Sequence, residues 1–70
     1  MQIGQNFRLK TTTLGITSQG GHRISMPLPA TSIVEILSNP DQDHLIEVLW
    51  EGRRVLMFEV DIQERGLECD

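Results

Sequence analysis

Apolar and polar positions alternate with a period of two along much of this chain. That period marks half-buried β-strands. The clearest stretch runs from His44 to Gly66. Two apolar runs there flank Glu51-Gly52. This predicts two strands joined by a two-residue hairpin loop, with Gly52 supplying a positive φ at no steric cost. In that register Trp50 faces Arg53, Val48 faces Val55 and Ile46 faces Met57, all on one side of the ribbon. Leu45, Glu47, Leu49, Arg54, Leu56 and Phe58 share the other side. The first side is the better core candidate. The second is mixed yet carries large apolar groups, so either a bulge switches the faces or this side is covered too, for example by another subunit.

The rest of the chain follows the same grammar. Met1 to Gln5 reads as a loose lead-in. Asn6 to Thr13 alternates as one strand, with Phe7, Leu9 and Thr11 on one side and Arg8, Lys10 and Thr12 on the other. Leu14 to His22 holds Gly15, Gly20 and Gly21 among small polar residues, which predicts an exposed loop. Arg23 to Ala30 is extended. Pro27 and Pro29 confine it to an edge or an irregular arm, and Ile24, Met26 and Leu28 share one face. Thr31 to Ser38 is a strand with Val34 and Ile36 inward. Asn39 to Asp43 is a turn cluster. Asp61 and Glu64 stand at capping-box spacing, which predicts a helix of about one turn held by Ile62. Gly66 is placed to end it in a left-handed conformation. Leu67 to Cys69 suffices for one short last strand.

Composition narrows the class. Seventy residues make a single domain, 1–70, with a small core. Cys69 is the only cysteine, which implies no disulfide framework and makes a reducing cytoplasm the default. Residues 1–10 lack the apolar core of a signal peptide, and no apolar run approaches membrane-spanning length. The formal charge of −4 disfavours a generic nucleic-acid or anionic-membrane binder.

Laid out in order, these pieces are a strand, a long irregular loop, a strand with a polar turn, a tight hairpin, a one-turn helix and a short last strand. That order, from Asn6 to Cys69, resembles the Src-homology-3-like (SH3-like) small barrel of bacterial style. Leu28-Pro-Ala-Thr-Ser-Ile-Val-Glu-Ile36 is similar to the apolar-Pro-Ala-Gly-x-x-Val lead into the second strand of such barrels, with Thr31 in place of the usual glycine. Val48-Leu-Trp-Glu-Gly52 and Phe58-Glu-Val-Asp-Ile62 resemble the hairpin and the closing helical turn. The resemblance implies an all-β barrel of about five strands and leaves its task open. Proline-peptide-binding relatives need tyrosines and an acidic first loop. This chain has no tyrosine, and Leu14 to His22 carries no acid. Val55-Leu-Met-Phe58 is similar to the Val-Gln-Ile-Tyr strand of the small plasmid-encoded dihydrofolate reductase. Leu56 and Phe58 there replace the amide and hydroxyl that hold its cofactor and substrate, which counts against that activity.

Candidate chemistry is sparse. His22, Asp41, Asp43 and His44 lack the spacing of a metal site and read as a solvated turn. Cys69 with His22 or His44 is a conceivable nucleophile and base, but a cysteine beside a chain end is poorly organised for catalysis. The expectation is a small non-enzymatic module of unknown specific function, without cofactor or metal, that binds a protein partner or a second copy. Its interface candidates are Leu49, Trp50, Leu56 and Phe58. The alternative is a nucleic-acid-binding barrel using Arg8, Lys10, Arg53 and Arg54 beside Trp50.

Overall fold

The structure, a computed structural model, describes residues 1–69. Its elements are β1 (Asn6–Leu9), β2 (Thr13–Gln19), β3 (His22–Leu28), β4 (Ile33–Ile36), β5 (Leu45–Trp50), β6 (Arg53–Phe58), α1 (Glu59–Arg65) and β7 (Gly66–Cys69). The strands form one antiparallel sheet in the order β3-β2-β6-β5-β4-β1-β7, open between its two edges. The class is all-β.

The β5–β6 hairpin has the register its sequence predicts: Trp50 pairs Arg53, Val48 pairs Val55 and Ile46 pairs Met57. Glu51 and Gly52 both take positive φ, 49° and 77°, the backbone twist a two-residue hairpin loop needs. Ile46, Val48, Val55 and Met57 are fully buried, so this side is the core. The curled sheet wraps these residues around Leu9, Leu28, Val34, Ile36 and Ile62, with Phe7, Met26 and Trp50 packed alongside. Burying each such side chain contributes about 1.5–3 kcal/mol.

Several expectations are corrected. Leu14 to His22 is not a loop. It belongs to the long β2–β3 hairpin, paired from Thr13–Leu28 to Gln19–His22 and turned by Gly20 and Gly21 at positive φ. The sheet therefore has seven strands rather than about five. Gly15 is not loop punctuation. A Cβ there would lie 2.5 Å from Val55 Cγ1, so the glycine lets β2 lie close over the core. The first strand ends at Leu9, and Thr11 is exposed instead of sharing the core side with Phe7 and Leu9.

The helix is longer than one turn and begins earlier. Phe58 is its N-cap residue and makes no side-chain cap bond, so Asp61 is inside the helix. Glu59 and Asp61 occupy the first turn and Arg65 the last, complementing the helix dipole. Gly66 is extended, with φ −105° and ψ 146°. Its amide donates to the Ile62 carbonyl, and a Cβ would sit 2.6 Å from that oxygen. Close approach, not handedness, requires glycine here.

The lead-in is tied down. The Gly4 amide donates to the Ile36 carbonyl at 2.8 Å, and the Ile36 amide donates to the Gln5 carbonyl at 2.9 Å. Gln5 Nε2 reaches Glu68 at 2.6 Å. Arg23 to Ala30 supplies the edge strand β3, as its prolines require.

Two turns carry testable consequences. Thr31 has φ 74° and donates its amide to the Leu9 carbonyl at 2.8 Å. A β-branched residue is strained there, and glycine is not. Thr31→Gly is expected to raise unfolding free energy by about 1 kcal/mol, the strain relieved exceeding the entropy glycine adds to the unfolded chain. Urea midpoints of the two proteins check this.

Asp41 Oδ1 accepts the amides of Leu45 at 3.0 Å and Asp43 at 2.8 Å. These two bonds hold its carboxyl below the usual value of 3.8. A depressed folded pKa stabilises the fold above the unfolded pKa, and that contribution is lost as pH falls through the folded value. The stability difference between wild type and Asp41→Asn is therefore expected near pH 7 and should shrink by pH 3. Paired urea denaturations at the two pH values read it directly, and an unchanged difference would show that the charge is not what anchors the turn.

Candidate interaction face

A core packed inside the curled sheet leaves the outer face to explain. Directly opposed residues of neighbouring strands point the same way. On β5 and β6 the outward pairs are Leu45–Phe58, Glu47–Leu56 and Leu49–Arg54, of which Leu45 is itself buried. On β4, Glu35 stands beside Leu49. On β2, Ile16 stands beside Leu56. Two residues further along their strands lie Ile33 and Leu14.

These registers form a grid with a definite pattern. Glu47, Leu49, Arg54 and Leu56 make a two-by-two block, with the leucines on one diagonal and the charges on the other. Glu47 and Arg54 approach at 3.9 Å across it. Extending the leucine diagonal one strand each way meets Ile33 on β4 and Leu14 on β2. Ile16 and Phe58 flank it. Leu14, Ile33 and Phe58 are 59%, 54% and 43% exposed, and Ile16, Leu49 and Leu56 are half-buried. Beside this stripe, Ile16, Ser18, Glu47, Arg54 and Leu56 line a shallow groove of about 270 Å³.

The structure brings together three of the interface candidates, Leu49, Leu56 and Phe58, and sets Trp50 apart. Trp50 shares a side with Val48 and packs against the core. Its free edge, with Glu51, meets Pro29 to Ile33 at a separate groove of about 450 Å³. Leu14 and Ile16 join the face although the glycines around them predict a loop. Their signal was the alternation Leu14, Ile16, Ser18 against Gly15 and Thr17, masked by the glycines.

The four basic candidates are dispersed. Arg8 is on β1 and Arg54 on β6, with β4 and β5 between them. Glu35 and Glu47 stand on those intervening strands, facing the same way. Arg53 pairs with Trp50 on the opposite side of β6 from Arg54. Lys10 lies beyond the end of β1, its amide donating to the Arg65 carbonyl. His22 begins β3 and Cys69 ends β7, the two opposite edges of the sheet. Among the described residues no group of three or more His, Cys, Asp or Glu is placed to hold a metal ion, and no helix is long and apolar enough to cross a membrane.

No protein-family model, curated protein or solved structure matches this chain.

Proposed function

We propose that this protein is a small non-enzymatic interaction module of Src-homology-3-like build that associates with itself through the outer face of β2, β6 and β5. The build is supported by the chain order. β1 pairs with both β4 and β7, β4 to β6 form a meander, and α1 leads directly into β7. The long β2–β3 hairpin then occupies the place of such a barrel's first loop.

One observation carries the functional reading. A contiguous apolar stripe lies outside a sheet whose core is already filled from within. Exposed apolar patches rimmed by charge are typical of contact surfaces. Electrostatics favours a second copy as the occupant. The chain carries −4 overall, so two copies repel across most orientations. On the outer face Arg8, Arg23 and Arg54 balance Glu35, Glu47 and Glu51, which makes it a place where copies meet without net repulsion. A small domain also gains stability from an added interface.

Leu56→Glu puts a charge at the centre of the stripe without touching the core. Light scattering of the wild type across a dilution series should give a mass above the 7.9 kDa monomer. The variant should stay monomeric with an unchanged circular-dichroism spectrum. A wild type that is monomeric at millimolar concentration refutes the reading.

A further inference from the structure

Resting on that reading, we infer that the Glu47–Arg54 diagonal is a self-recognition device: two copies meet about a two-fold axis lying along the line Ile33, Leu49, Leu56, Leu14, and each Glu47 pairs with the partner's Arg54. A symmetric dimer of identical faces has its two-fold axis within the interface. Rotation about such an axis turns one copy over onto the other. Residues on the axis meet themselves, and residues on either side exchange places.

Two axes pass through the diagonals of the central block. Along the charge diagonal, Glu47 would meet the partner's Glu47 and Arg54 the partner's Arg54. Like charges brought together in an interface are strongly unfavourable. Along the leucine diagonal, Leu49 and Leu56 meet their own copies and both charges meet their opposites. The same operation carries Phe58 onto the partner's Ile16, since the two lie one grid step on either side of that line. It also places Leu14 and Ile33, the two most exposed members of the stripe, against their own copies. Every apolar residue of the stripe thus receives an apolar mate. At the rim Glu35 falls toward the partner's Glu51, which is exposed and screened by water.

The intramolecular pair is loose, 3.9 Å long, with the Arg54 and Glu47 side chains 76% and 37% exposed. Such a pair contributes little to the isolated fold. Both side chains are therefore free to be shared, and two reciprocal pairs across a drier interface fix its register more than they strengthen it. The device selects a second copy of this chain over other apolar surfaces, which would leave the two charges unmatched.

Charge reversal tests it. Glu47→Arg, Arg54→Glu, the double variant and an equimolar mixture of the two single variants are compared with wild type by sedimentation equilibrium. Circular dichroism confirms that each is folded. Each single variant should self-associate at least about tenfold more weakly, with four like charges facing one another. The double variant and the mixture should return to within about threefold of wild type, because opposite signs again face each other. Single variants that associate like wild type, or a double variant that does not recover, overturn the axis while leaving the face intact. Loss of association in Leu56→Glu alone identifies that case. A monomeric wild type instead removes the interaction reading itself. Cross-linking gives an independent check. On a Cys69→Ser background, Leu49→Cys should oxidise to a dimer with its own copy and Glu47→Cys should not. The reverse pattern contradicts the axis.

Discussion

Ile62→Ala is expected to lower the unfolding free energy by about 2–5 kcal/mol, the cost of removing a large aliphatic side chain from a core that relaxes only in part. Ile62 is 0% exposed and is the only buried residue of α1. A seven-residue helix does not hold itself together in water, so this one side chain ties α1 to the inner face of the sheet. The consequence reaches further than the helix. α1 leads directly into β7, and β7 pairs with β1. A domain of this size has roughly 4–10 kcal/mol of total stability. The variant should therefore unfold at a small fraction of the wild-type urea concentration. A cost below about 1 kcal/mol would show that the helix is held elsewhere.

The second large effect is at Gly66. Its missing side chain leaves room for the Ile62 carbonyl, 2.6 Å from where a Cβ would stand, and for Phe7 Cβ at 3.4 Å. The nearer atom is backbone and cannot rotate away. Gly66→Ala must move the helix end or the start of β7, disturbing the amide bond to Ile62 and the pairing of Gly66 with Leu9. A loss of about 2–3 kcal/mol is expected. Asparagine separates the two explanations for this glycine. It adopts left-handed backbone more readily than alanine does. Were handedness the reason, Gly66→Asn would be mild. Close approach predicts that it is at least as damaging as alanine. Thermal unfolding of both variants decides between them.

The same residue shows what could be read in the sequence and what could not. A glycine after a helical turn is most often a left-handed terminator, and only the path of the neighbouring chain reveals a steric role. Gly15 is a parallel case. It sits among Thr, Ser and Gln, where glycine usually signals a loop, yet it is the point at which β2 crosses closely over Val55. Misplacing it hid β2 and the hairpin that β2 forms with β3. The capping-box spacing of Asp61 and Glu64 misled differently, since local spacing fits either helix start and packing of Ile62 chose the earlier one. The hairpin from Leu45 to Phe58 was legible in full because its loop fixes the register and its alternation fixes the faces. Half of the candidate face followed from that alternation alone. Leu14, Ile16 and Ile33 required knowledge of which strands are neighbours, and period-two patterning says nothing about strand order.

The central claim is that copies of this chain meet on the outer face of the sheet. The most direct measurement is a dilution series of the isotopically labelled protein followed by amide chemical shifts. Concentration-dependent shifts should cluster at Leu14, Ile16, Ile33, Glu47, Leu49, Arg54, Leu56 and Phe58, while Ile24, Ala30 and Thr31 stay still. Shifts centred on Trp50 and its groove, or none up to millimolar concentration, would contradict the claim.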